Sequence, residues 1–397
     1  MRSLARGMLA LHFTLLPLDL PSAQTISDLS LSDVLLQAMR RAESGVALSE
    51  PPRYQSSSWL AGLPSLSVSY LQSNERDGVD ETQLSLHLPI KSGQRRRADA
   101  ALSGLSGELG ELATQHRALY FSGLIREALW SHRIADTRRR AAAQKRQVLL
   151  TLEQRQRDLL AANASSAYSL LLLQKELVDV EISQQDFLQQ ARQWLQQYQQ
   201  VTGLGSVPAH LDESPLDSDA FPAHRHPRVR ALELARQQQL ALLSAGSQQA
   251  SEWNLSLQAK NLDSPGFEED QYGLALEVPL SFVRLESEAN NSELQAVNRE
   301  YSLAREQLVQ QLHRRWLFLS GQAEILQEKQ QLLARASTLT QQIAGQLQEL
   351  AATNEIAQEI ALRRLMEDVD TRTEAQVNAL LMQQNNAMLR QAAGLPL

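Results

Sequence analysis

Residues 82–93 read TQLSLHLPIKSG. Leu84, Leu86 and Leu88 alternate with Gln83, Ser85 and His87, the period-2 pattern of a strand with one apolar and one polar face. Pro89 ends it, because proline removes a ladder donor, and Gly93 lets the chain bend out of the strand direction. The next stretch reads as helix: from Gln94 to Leu160 there is no proline, over a length that would measure about 100 Å as an α-helix.

About 190 residues later the same figure returns as YGLALEVPLSF, residues 272–282, with Pro279 in the place of Pro89. Tyr272, Leu274, Leu276 and Val278 alternate with Gly273, Ala275 and Glu277. Each of these strands has a partner upstream. Leu66, Val68 and Tyr70 alternate with three serines before the polar turn NERDGVDE (74–81), and Trp253, Leu255, Leu257 and Ala259 alternate with polar residues before DSPGFEED (263–270). Small polar breaks also repeat at nearly that offset, AANASS at 161–166 and AATNEI at 351–356. The chain is one unit written twice.

This gives an expected organisation. A signal peptide occupies 1–23; the first repeat, 24–202, has strands at about 63–72 and 82–89, a long helix 94–160 and a helix 167–201. A linker covers 203–223. The second repeat, 224–397, has a helix 227–250, strands at about 252–261 and 271–279, a long helix 286–351 and a helix 357–393. The helical runs carry a heptad pattern. Leu173, Leu177, Val180, Phe187, Ala191, Trp194, Tyr198 and Val201 fall on alternating spacings of 4 and 3, as do Leu312, Trp316, Leu319, Ala323 and Leu326. Such a period keeps one seam against a partner helix.

Composition narrows the function. The 397 residues include 43% hydrophobic and 21% charged residues, a foldable balance, and the net charge of −7 argues against a nucleic-acid partner. There is no cysteine, which excludes disulfides, thiol catalysis, Cys-ligated zinc and acylation of an N-terminal Cys. Arg2 and Arg6, the apolar run Met8–Leu18 and a small-residue site near Ala23 read as a secretory signal peptide, the alternative being an N-terminal anchor or buried helix. No HExxH, GxSxG or P-loop occurs, so no enzyme is expected, with no catalytic residues and no cofactor. GLSGELG (104–110) has the wrong spacing for a dinucleotide loop and reads as close packing at small residues. His224 and His226 are too few for a metal site, so none is expected.

A single alternating hairpin usually packs its apolar face on a soluble core. Four such strands, each near ten residues, with Tyr and Trp near their ends, instead suit a membrane barrel, where every backbone group must be paired by closure. Four strands cannot close a barrel, whereas three copies would supply twelve. Helices about 100 Å long cannot lie in a bilayer some 30 Å thick and must project from it, on the periplasmic side if a signal peptide leads the chain. A soluble coiled-coil scaffold is the contrasting reading.

LPSLSVSYLQS, LHLPIKSGQRRRADAAL, RDLLAANASSAYSLLLLQKEL, HPRVRALELARQQQLALLSA, NEIAQEIALRRLMED and NNAMLRQAAGLPL, in this order, resemble the TolC-like outer-membrane efflux family over about residues 30–397. The last two segments are most similar to its heavy-metal cation branch, which works with resistance-nodulation-division (RND) pumps. The resemblance implies a mostly α fold with a small β-barrel part: long coiled-coil hairpins forming an α-helical tunnel, and four transmembrane strands per protomer in a trimeric twelve-stranded barrel. It implies a homotrimer in outer-membrane lipid with its helices in the periplasm, partnered by a periplasmic adaptor (membrane fusion) protein and an inner-membrane RND-type pump, and carrying metal cations; drug or type I protein secretion ducts are the alternative.

The adaptor-docking hairpin tips implied by the resemblance map to Asn163, Ala164, Ser165 and Ser166, and to Asn354, Glu355, Ile356 and Ala357. Asn stands where glycine is usual at both tips and preserves the turn, since it tolerates a left-handed conformation. In three copies Glu355 and Glu359 would form two acidic rings at the periplasmic aperture, which attract cations; alternatively they are ordinary acidic residues at a helix start. Arg363 and Arg364 come within a turn of them, placed to pair with them. Two departures stand out: PLSFVRLES lacks the glycine usual at the second strand-to-helix crossing, and SEPPRY (49–54) interrupts the helix before the first strand, which implies that this helix is shortened or displaced.

Overall fold

A computed structural model of the chain describes residues 29–45, 56–162, 166–216, 221–246, 252–278, 288–352 and 358–397. The signal-peptide segment, the stretch 49–54 and the second crossing at 279–287 fall outside the described residues. The architecture is mostly helical with one small antiparallel sheet. In chain order the elements are α1 (Leu31–Gly45), β1 (Ser65–Leu71), β2 (Asp80–Ile90), α2 (Gly93–Ala161), α3 (Ala167–Thr202), α4 (Pro227–Gly246), β3 (Trp253–Ser264), β4 (Phe267–Glu277), α5 (Glu288–Ala352) and α6 (Gln358–Ala392).

Helix α2 has 69 residues and α5 has 65, so each runs about 100 Å. Each returns as a shorter antiparallel partner, α3 or α6, packed along the heptad seam. On α3 the seam residues Leu173, Val180, Ala191 and Tyr198 are buried; on α5 they are Leu312, Trp316, Leu319 and Leu326. Buried Asn378 and Asn385 of α6 donate to the Leu326 and Leu319 carbonyls at 2.9 Å, polar pins that fix the axial register of α6 on α5. Packing of α2 on α6 joins the two hairpins, and α4 fills the space between α2 and α5 near the sheet.

Helix ends obey local chemistry. Ser92 caps α2 by accepting the Arg95 N–H at 3.2 Å, and Ser166 caps α3 by accepting the Ser169 N–H at 3.3 Å. Gly203 ends α3 at φ 76°, returning its N–H to the Gln199 carbonyl; a Cβ there would meet the Arg41 guanidinium at 2.5 Å. Helix α1 docks on the middle of α2 and the C-terminal end of α3 through Val34, Leu35 and Ala38, which cluster with Ile125, Leu129 and Tyr198. Burying Val34 or Leu35 contributes about 1.5–3 kcal/mol each, enough to hold a 15-residue helix that would be marginal alone.

The four strands form a single sheet in the order β1-β2-β3-β4, every pair antiparallel. The two duplicated hairpins are therefore joined side by side through β2 and β3. Strands β3 and β4 run right up to a two-residue turn, Pro265–Gly266, further than their apolar pattern extends. Proline presets the first position of that turn and Gly266 takes φ 97° at the second.

Candidate functional site

Pairing register decides what each face of the sheet presents. Leu66, Leu86, Leu257 and Leu274 lie in one row across all four strands, and Val68, Leu84, Ala259 and Tyr272 in the next. Leu88, Leu255 and Leu276 form the row nearer the helices, bordered by Ile90 and Trp253. The result is an unbroken apolar face about 20 Å long along the strands from the Trp253 row to the Tyr272 row. Aromatic residues stand at both margins. None of the described residues covers it: Val68 is 69% exposed, Leu274 71% and Tyr272 82%. A patch this continuous needs a non-aqueous partner.

The opposite face is hydrophilic and internally bonded. His87 shares a 2.8 Å hydrogen bond with Ser256, Gln83 donates to Ser85 at 2.9 Å, and Lys260 pairs with Glu81 at 2.7 Å. Serines, glutamines and Gly273 make up most of the rest. One face suits hydrocarbon and the other suits water, the division a membrane barrel needs. The outer edges of β1 and β4 carry no strand partner among the described residues. Because an even number of antiparallel strands ends with β4 running opposite to β1, the β1 edge of one copy can accept the β4 edge of another as a further antiparallel pair.

The helices also have unpartnered edges. Phe318, Ile325, Leu332 and Leu339 recur every seven residues along α5 and are 59–66% exposed. On α3, Leu171, Val178 and Ile182 form a similar outward stripe. Both helices thus carry two apolar seams, one used within the protomer and one free. The heptad read from the sequence is the first seam; the 7-residue recurrence of Phe318, Ile325, Leu332 and Leu339 is the sequence signal for the second. Gly104, Gly107 and Gly110 overturn the expectation of close packing within the chain, since no atom lies within 4 Å of a Cβ built on any of them.

Of the tip residues, Ser166 is described, as the cap of α3; Asn163, Ala164, Ser165, Asn354, Glu355, Ile356 and Ala357 lie outside the described residues. Glu359 belongs to α6. Arg363 and Arg364 are exposed there, and Arg364 is engaged by Glu367 at 2.6 Å, one turn further along, rather than free to face the tip. Above the tips, Lys145 of α2 reaches both Glu176 of α3 at 3.3 Å and Asp370 of α6 at 3.1 Å. Glu153 accepts from Gln174 and Arg157, which lower its carboxyl from the ordinary value.

His226 stands apart from any metal chemistry. It is 1% exposed, its Nδ1 accepts the Arg228 N–H at 3.2 Å at the start of α4, and burial, with the charges of Arg228 and His116, pushes its pKa down to about 4. It is a neutral structural imidazole. Among the described residues no cluster of three or more His, Asp or Glu side chains is placed to hold a metal, and no helix is long and apolar enough to cross a membrane.

No family model and no curated protein matches the chain. Solved structures do. The outer-membrane protein VceC of Vibrio cholerae aligns over 92% of this chain and 96% of its own, with TM-score 0.64 at 14% identity. CusC, whose structures describe transmembrane channel formation, gives 0.62 at 12% identity over 92% of both chains, and the outer-membrane channel OprN gives 0.60 at 15% over 92% and 89%. The chain has the fold of outer-membrane channels.

Proposed function

We propose that the protein is a passive exit duct: three copies pair their four-stranded sheets edge to edge into a twelve-stranded barrel in the outer membrane, and their helices close into a tunnel in the periplasm. The observation that carries this reading is the unbroken, uncovered apolar face of a sheet whose other face is hydrophilic. Two unpaired strand edges and two unpartnered heptad stripes support it independently, because each would be satisfied by copies of the same chain. Likeness in fold to outer-membrane channels supports it as well.

In this reading the duct is the outer-membrane component of a tripartite efflux system. A periplasmic adaptor grips the tips at Asn163–Ser166 and Asn354–Ala357, an inner-membrane RND-type pump supplies the energy, and metal cations are the cargo. Glu355 and Glu359 ring the periplasmic aperture and favour cations there. Reconstitution into a planar lipid bilayer tests the duct: stepwise ionic conductance is expected, and a folded protein that never conducts contradicts it. Cargo is tested by cell accumulation of copper, silver and zinc against that of drugs, with and without the chain; retention of drugs alone in its absence reassigns the substrate.

A further inference from the structure

Only Lys91 and Ser92 separate the last residue of β2 from the first of α2, so the whole change of direction from sheet to helix happens there. Around these two residues three chain segments converge. The segment before β1 runs beside the end of β2, with Ala61 N–H to the Pro89 carbonyl at 2.9 Å and Lys91 N–H to the Trp59 carbonyl at 2.8 Å. The Lys91 ammonium donates to the Ser57 carbonyl and pairs with Asp99, nearly two turns into α2, at 2.6 Å. Arg95 contacts the same carboxylate at 3.3 Å and donates to the Ala245 carbonyl at 2.8 Å. That carbonyl belongs to the last turn of α4, where carbonyls lack helical donors and a cation is favoured.

Lys91 and Asp99 are 4% and 5% exposed, so this pair is buried. Stability alone is a poor reason for it, since the desolvation of both ions offsets most of their attraction and an apolar pair often does as well. Geometry is a better reason. Apolar contacts such as Ala98, Leu102 and Ala245 just beneath are non-directional and permit sliding, whereas the hydrogen bonds of Lys91 and Arg95 to the Ser57, Trp59 and Ala245 carbonyls and the ion pairs to Asp99 all close together at one angle between β2 and α2. Any other angle separates two charges out of reach of water.

We propose that Lys91 and Asp99, with Arg95, are positioning residues that fix the angle at which the sheet continues into the helices. On the reading of the protein as a duct, they keep the barrel opening in line with the tunnel.

Because the chain has no cysteine, spin labels can be placed without background. Thr82→Cys on β2 and Glu108→Cys on α2, both exposed, report the junction angle as a distance distribution in the full chain in detergent, co-expressed with excess unlabelled chain so that only pairs within one copy count. The parent should give one narrow distribution. Asp99→Asn, which orphans Lys91, should broaden it; the double variant Lys91→Met/Asp99→Leu should keep the parent's thermal resistance yet broaden it about twofold, since it leaves no fully buried charge unpaired, Arg95 being 28% exposed and still bonded to the Ala245 carbonyl, but removes the contacts of the Lys91 ammonium and the Asp99 carboxylate. A double variant with the parent's distribution overturns the proposal, and covers the case in which Asp99→Asn fails to fold. The readout does not depend on conductance, so a parent that shows this response but never conducts contradicts the duct and leaves the positioning role standing.

Discussion

Arg126 on α2 and Glu213 in the segment after α3 share two parallel hydrogen bonds, Nε to Oε1 at 2.8 Å and Nη2 to Oε2 at 2.5 Å, with both side chains almost wholly out of water. The remaining donors of Arg126 reach Gln391 and the Leu395 carbonyl, and Arg390 of α6 adds a second cation to Glu213 at 3.1 Å. One carboxylate thus ties a helix of the first repeat to a helix of the second. Glu213→Ala leaves two arginines without their anion, one of them fully buried, and should cost about 3–5 kcal/mol in chemical denaturation. Arg390→Ala, which leaves the Arg126 fork intact, should cost clearly less.

His226 makes stability depend on pH in a definite direction. Its folded pKa of about 4 lies below the ordinary 6.5, so the unfolded chain binds the proton more readily. Its neutral form carries no penalty above pH 6.5, and stability falls as pH drops from there towards 4, by about 2 kcal/mol at pH 5. His226→Asn should flatten this part of the pH profile of thermal unfolding; an unchanged slope would assign the dependence to other groups.

The outward stripe of α5 is predicted to be an interface between copies. Phe318→Lys with Ile325→Glu should leave helical content intact by circular dichroism while shifting the native mass towards single chains, because charges would be desolvated along the contact. The inward seam behaves differently: Leu319→Ala opens a cavity inside the protomer and should cost about 2–5 kcal/mol of its stability.

The two faces of the sheet should respond oppositely to charge. Leu274→Arg on the apolar face should oppose membrane insertion by about 2–4 kcal/mol, seen as loss of chain from the outer-membrane fraction. Ser67→Lys on the hydrophilic face of β1 should insert normally and alter only ion selectivity. Equal tolerance of both would argue that neither face meets lipid.

The broad fold was legible because it rests on periodicity. Alternation at Leu84, Leu86 and Leu88 marks a one-sided strand whatever it pairs with, and the heptad through Leu173, Val180 and Tyr198 marks a helix packed along one seam. Pairing of β2 with β3 was not legible, since it joins segments some 160 residues apart and no local pattern records a partner. The same holds for Arg126 and Glu213: an isolated Arg in a helix and a Glu in a polar linker look solvent-facing until the fold buries them together. The free stripe at Phe318 and Ile325 was written in the sequence but overlaid by the stronger seam through Trp316 and Leu319. Gly104, Gly107 and Gly110 look like packing residues, yet find nothing to pack against in one copy.

Whether this chain completes itself only with copies of itself in a membrane is tested by extracting the membrane fraction with mild detergent and measuring the native mass of the intact particle. A trimer that resists dilution is expected. A monomer in detergent, or a protein recovered in the soluble fraction without detergent, would contradict it.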